Sequence, residues 1–219
     1  MKIGILGGSF NPVHIGHLRL GIECLEQFDL DRVWFMPAFI PPHKVREGLL
    51  PFELRFKLLV EATKNTSNLE VIDLEQKLGG ISYTVRTLKY LKTEYSNRDF
   101  YFILGDIDFI SLPSWYQGNM LINYANLIVV RRKEIALRQI QETSEIYLRA
   151  KRIDNYSWSK NDNKIFLLNC LNIYISSSEI RKKFLTKRNI NFLVPREVEI
   201  LLNKYKIIAE KCWQKDIFK

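Results

Sequence analysis

A chain of 219 residues, 47% of them hydrophobic, can enclose one sizeable core, and its 26% of charged residues sits near the globular average, which argues against disorder. No apolar run approaches the roughly 20 residues that span a bilayer, and the opening has only about four apolar residues before two glycines, too few for a secretory signal. The net charge is +9, and six of those charges fall in residues 176–219, a balance that suits nucleic acid or anionic ligands but is met equally by a solvated Lys-rich helix face.

The first expected element is a strand over Lys2–Leu6. It breaks into Gly7-Gly8-Ser9-Phe10-Asn11-Pro12-Val13-His14-Ile15-Gly16-His17, and a helical pattern follows over Gly16–Phe28. A strand, a glycine turn and a helix N-terminus in succession offer backbone N–H groups to a phosphate. His14 and His17, three residues apart, can face the same point at the helix entrance. The turn matches neither GxxxxGK followed by Ser or Thr nor GxGxxG, which disfavours a P-loop ATPase and a dinucleotide oxidoreductase. A nucleotide held by backbone N–H groups and imidazoles remains.

Further strands are expected over Arg32–Met36, Leu69–Leu74, Phe100–Leu104, Leu127–Val130 and Ile165–Leu168. Helices are expected over Phe52–Ala62, Tyr83–Tyr95, Ile135–Arg149, Ser178–Phe184 and Arg196–Tyr205, with Pro51 and Pro195 at two of the entrances. Residues 154–163 read as an exposed loop, and Pro37–Pro51 as a long connection of the kind that carries function. Alternation of strand and helix predicts a parallel sheet covered on both faces, with ligands outside the carboxyl ends of its strands.

Three histidines, His14, His17 and His43, lie within the first 43 residues. No carboxylate or cysteine accompanies them at ligand spacing, and Lys44 beside His43 would repel a cation, so a metal site is not expected. Cys24, Cys170 and Cys212 are far apart with no CxxC pair, as in a reduced, cytoplasmic protein. Near the other end, Ser176-Ser177-Ser178-Glu179-Ile180-Arg181 reads either as a helix N-cap or as hydroxyls and a guanidinium offered to a polyphosphate.

The run Gly7–His17 resembles the HxGH signature of the nucleotidyltransferase superfamily of adenylyl- and cytidylyltransferases, and Ile175–Arg181 resembles its second signature. Pro41-Pro42-His43-Lys44, Ser82-Tyr83-Thr84 and Leu112-Pro113-Ser114-Trp115-Tyr116 resemble the bacterial nicotinate-nucleotide adenylyltransferases. HxGH alone marks the superfamily; the five segments in order, over nearly the whole chain, are specific. The resemblance implies a Rossmann-like α/β fold: a doubly wound parallel sheet in a single nucleotidyltransferase domain over 1–219, with a small C-terminal helical part from about residue 176. It implies transfer of the adenylyl group of ATP to nicotinate mononucleotide, giving deamido-NAD and pyrophosphate.

Carried over residue by residue, the resemblance makes His14, His17 and Arg181 catalytic. Gly7, Gly8, Ser9, Phe10, Gly16, Gly105, Asp106, Ile175, Ser177 and Ser178 would bind ATP. His43, Lys44, Thr84, Trp115, Tyr116 and Arg131 would bind the mononucleotide. By themselves, Thr84 reads equally as an N-cap and Trp115 as a core aromatic. Mg²⁺ is expected with ATP, and no metal site on the protein. The chain departs from the family at Gly105-Asp106-Ile107-Asp108, where Ile107 stands in the usual Asp position; Asp106 is named as the substitute, with Asp108 the other choice. Asn11 stands where relatives often have Asp. The partners expected are the two substrates, with neither nucleic acid nor membrane, and self-association is left open. Nicotinamide mononucleotide or phosphopantetheine as acceptor is the runner-up reading, and a basic nucleic-acid-binding protein a remote one.

Overall fold

The structure is a computed structural model that describes residues 1–42, 48–131, 135–169 and 173–214. Its strands are β1 (Lys2–Gly8), β2 (Arg32–Pro37), β3 (Leu69–Val71), β4 (Asp99–Gly105), β5 (Asn126–Arg131), β6 (Lys151–Arg152), β7 (Ser157–Lys160) and β8 (Asn163–Asn169). Its helices are α1 (Ile15–Phe28), α2 (Phe52–Thr63), α3 (Leu74–Leu78), α4 (Thr84–Glu94), α5 (Asp106–Ile110), α6 (Leu137–Glu142), α7 (Ser177–Leu185), α8 (Arg196–Lys204) and α9 (Lys206–Trp213). The strands form one sheet in the order β3-β2-β1-β4-β5-β8-β7-β6.

From β1 the chain winds outward through α1 to β2 and through α2 to β3. It then returns to lay β4 on the other side of β1, parallel to it. The winding direction therefore reverses between β1 and β4, where a crevice opens beyond the strand ends. Side chains alternate across the sheet with a period of two. Ile3, Ile5, Trp34, Met36, Phe102 and Val129 face a core closed by α3, α4, α5 and α6. Leu6, Val33, Phe35, Ile103 and Ile128 face a second core closed by α1, α2, α7, α8 and α9. Leu202, Ala209 and Trp213, from the last two helices, are fully buried in that second core. No helix is long and apolar enough to cross a membrane among the described residues.

The doubly wound sheet agrees with expectation, but it is not parallel throughout. β6, β7 and β8 are antiparallel at one edge. Residues 154–163, expected as an exposed loop, contain β7. Trp158 is fully buried there and donates through Nε1 to Glu145 Oε1 at 3.0 Å. An antiparallel strand with one solvated face keeps polar residues on alternate positions, which hid it among Ser, Asn and Asp. The strand expected over Leu69–Leu74 stops at Val71, and Leu74 instead starts α3. The helix expected over Ile135–Arg149 survives as α6. The next turn, Thr143–Tyr147, widens to a π-helix as Thr143 and Ser144 donate their hydroxyls to Gln139 O and Ile140 O, both at 2.9 Å. α9 was not expected.

Candidate active site

The glycine turn sits at the carboxyl end of β1, at the reversal point. Phe10 in it has φ 44°, a left-handed conformation that costs a side chain about 1 kcal/mol. Burial of its ring offsets this: Phe10 is 2% exposed, edge-on to the His17 ring at 5.0 Å and 5.9 Å from Phe35. His14, also buried, occupies the position before α1, and its ring stacks on that of His17 at 3.6 Å. Gly16 leaves room for it, since a Cβ there would lie 3.1 Å from His14 Nδ1. The His14 N–H donates to His17 Nδ1 at 3.2 Å. That assigns the His17 proton to Nε2, which becomes a hydrogen-bond donor at the positive end of α1.

Asn11 joins the turn to three distant segments. Its Nδ2 donates to Gly48 O at 2.7 Å, and its Oδ1 accepts from Leu50 N at 3.1 Å and Trp213 Nε1 at 3.2 Å. Arg181 Nη1 donates to Asn11 O at 3.0 Å, which brings α7 against the turn. At the start of α7 the two sequence readings divide between residues. Ser176 is the N-cap and accepts from Glu179 N at 3.2 Å. The Ser177 hydroxyl donates to Pro12 O at 2.9 Å, while Ser178 is exposed and its Oγ accepts from Arg181 Nη2 at 3.2 Å. Ile175 precedes them, half-buried against the second core.

Beside the turn lies a cavity of about 280 Å³, a size that suits one aromatic ring and its substituent better than a whole nucleotide. Gly7, Gly8 and Ser9 form one side of it; Thr84, Trp115 and Tyr116 form another. Tyr83, not Thr84, is the N-cap of α4 and its side chain makes no capping hydrogen bond, and Thr84, the first residue of that helix, lines the cavity. Trp115 is both core and lining: it packs on the first core and donates through Nε1 to Ser111 Oγ at 3.1 Å. Behind it, Gly118 touches the carbonyl of Leu112 so closely that no Cβ fits, which sets the turn carrying Trp115 and Tyr116. The Tyr116 ring, 55% exposed, leans on Tyr83 at 4.6 Å.

Asp106 is fully buried at the start of α5 and accepts from Ile107 N at 2.9 Å, while Asp108 lines the cavity. Gly105 caps α5 between β4 and these residues. Arg131 ends β5, half-buried, and is not part of the cavity wall; its Nε is shielded from solvent without a hydrogen-bond partner among the described residues. His43 and Lys44 lie outside the described residues.

Two residues that sequence reasoning passed over organise the site. Arg55 of α2 is 1% exposed and donates to three carbonyls: Leu50 O at 3.0 Å, Ser9 O at 2.9 Å and Ala38 O at 2.8 Å. Burial lowers its pKa to about 10, which leaves it charged at neutral pH. Glu75 of α3 lines the cavity, and burial pushes its carboxyl above the usual range, opposed by the Ser82 and Thr87 hydroxyls and by Arg55. Among the described residues no group of three or more His, Cys, Asp or Glu is placed to hold a metal.

A Rossmann-like sheet with a glycine turn, paired imidazoles at a helix entrance and an arginine bonded to that turn is the arrangement of a nucleotidyltransferase. The sequence model of the cytidylyltransferase-like family matches residues 5–183. Among curated proteins, the "Probable nicotinate-nucleotide adenylyltransferase" of Geobacter sulfurreducens is 38% identical over 217 residues, covering 95% of this chain and 99% of that protein. The protein of the same name from Clostridium novyi is 35% identical over 206 residues, covering 94% and 98%. The chain belongs to the nicotinate-nucleotide adenylyltransferase family. Its fold is that of Plasmodium falciparum nicotinic acid mononucleotide adenylyltransferase complexed with NaAD, with TM-score 0.75, 23% identity and coverage of 94% and 97%. A second structure of that enzyme, complexed with APC, superposes with TM-score 0.71 at 22% identity, covering 94% and 96%.

Proposed function

We propose that the chain joins ATP and nicotinate mononucleotide into deamido-NAD with release of pyrophosphate, using the glycine turn for the triphosphate and the adjoining cavity for the nicotinate ring. One observation carries this placement. Gly7, Gly8 and Ser9 belong both to the phosphate turn and to the cavity wall, so a phosphate at the turn and a ring in the cavity are neighbours. The attacking 5′-phosphate has a second pKa of about 6 and is already a dianion at neutral pH, so no general base is needed. Pyrophosphate is a stable leaving anion. The residues are left with alignment and screening.

His17 Nε2, the N-terminus of α1 and the Arg181 guanidinium supply donors to the polyphosphate from two sides. The nicotinate carboxylate meets the Thr84 hydroxyl and the uncapped start of α4, which favour an anion over an amide. Trp115 and Tyr116 give the ring an apolar wall. Mg²⁺ fits this site as a cation carried on the ATP phosphates, where it neutralises their charge.

The assay is direct. Protein with ATP, Mg²⁺ and nicotinate mononucleotide yields pyrophosphate and deamido-NAD; a folded protein that yields neither overturns the reading. Nicotinamide mononucleotide and phosphopantetheine, run in parallel, give much slower turnover. Faster turnover with either one reassigns the acceptor. Thr84→Val is expected to raise the KM for nicotinate mononucleotide about tenfold by removing one donor to a charged group, with the KM for ATP unchanged. Arg181→Ala is expected to lower kcat about 100-fold, the usual loss when one charge-stabilising donor is removed; a change under about threefold would take Arg181 out of the site.

A further inference from the structure

Glu75 is a carboxyl in an awkward place. It lines a cavity assigned to an anionic ring substituent, its Oε2 is shielded from solvent, and no hydrogen-bond partner of Oε2 lies among the described residues. Burying a carboxyl this way is costly, and a neutral or apolar residue would fill the space at less expense. Nothing in the chemistry above uses it.

Its neighbours show what it holds. The Thr87 hydroxyl, one turn into α4, donates to Glu75 Oε1 at 3.0 Å. Ser82, just before α4, accepts from Phe39 N at 2.8 Å and Ile40 N at 3.2 Å, and its own N–H donates to Ile40 O at 2.9 Å. Ser82 and Glu75 line the same cavity wall, and the Ser82 hydroxyl lowers the Glu75 pKa against the effect of burial. Ala38, at the start of the same segment, is held by Arg55, which also holds Ser9. Hydrogen bonds run from the phosphate turn through Arg55 to Ala38 and from Phe39 and Ile40 to Ser82, and Glu75, which lines the same cavity, joins α3 to α4 through Thr87.

We propose that Glu75 is a positioning residue for the acceptor substrate: by binding the Thr87 hydroxyl beside Ser82 in the cavity wall it holds the first turn of α4 against α3 and the segment after β2, and so keeps the two walls of the ring cavity at a fixed separation. It does not touch the reacting phosphates. The inference rests on the assignment of the ring to this cavity. It goes beyond that assignment by naming a residue on which recognition of one substrate, and not the other, depends.

Steady-state kinetics with each substrate varied in turn test it on Glu75→Ala, Glu75→Gln and Ser82→Ala. Glu75→Ala raises the KM for nicotinate mononucleotide about tenfold or more, because the Thr87 hydroxyl loses its acceptor and the cavity wall its filler. The KM for ATP stays within about twofold, as expected when an interaction serves one ligand only. Glu75→Gln keeps one acceptor oxygen and the volume, and rescues most of the loss. Adding Thr87→Val to Glu75→Ala costs little more, since the partners act as one unit. Equal rises in both KM values, or no rise in either, overturn the proposal. Should Glu75→Ala fail to fold, Ser82→Ala must still show the split between substrates, and its absence there is equally fatal. Wild-type protein that makes no deamido-NAD sinks the functional reading itself. Active wild type with unsplit variants sinks only the role of Glu75.

Discussion

His17→Ala lowers turnover by about 100- to 1,000-fold, the range for loss of one donor aimed at developing charge. Pyrophosphate release measures the rate and a thermal melt measures the fold. The melt moves little, because the His17 side chain is only half-buried and its Nδ1 accepts from the His14 N–H at 3.2 Å, at a helix end where water can replace that bond. His17→Asn retains a donor and an acceptor and sits between wild type and Ala. An undiminished rate in His17→Ala would show that the stacked imidazoles are structural and that the turn does its work through backbone N–H groups alone.

Arg55→Ala is expected to be the most destabilising single change at the site. It strips the donors from three carbonyls and leaves Glu75 without the cation that favours its charge, a combination worth about 3–5 kcal/mol. Urea unfolding measures it, with the midpoint falling while the slope holds. Arg55→Lys recovers only part, since a lysine ammonium cannot reach three carbonyls set around a planar fork. A loss below about 1 kcal/mol would mean that water satisfies those carbonyls and that the clamp is incidental.

These two residues show where sequence reasoning succeeds and where it stops. His17 was legible because its neighbours are local: a strand, two glycines and a helix start lie within a few residues, and each leaves a pattern. The same holds for β2, β4 and β5, whose apolar runs are bounded on both sides. Arg55 was not legible. A charged residue in an amphipathic helix reads as surface, and only the folded chain brings it Ser9 O from 46 positions away. Asp106 and Asp108 are two residues apart in a motif shifted from the family pattern, so spacing could not choose between them. α5 turns Asp106 inward and leaves Asp108 exposed at the cavity. α9 was missed because Tyr205 interrupts the helical run, and because Ile207 is 83% exposed where periodicity would bury an apolar side chain.

The bond from Trp213 Nε1 to Asn11 Oδ1 spans 202 positions of sequence. A ribosome extends a polypeptide from its first residue, so for most of translation Asn11 waits without that contact. Binding competence should therefore arrive late and abruptly, once the segment around Trp213 has cleared the exit tunnel. Stalled nascent chains of increasing length would capture a nucleotide only beyond that point, and a tag fused after it would trouble the enzyme far more if it pulled on that last helix than if it hung freely.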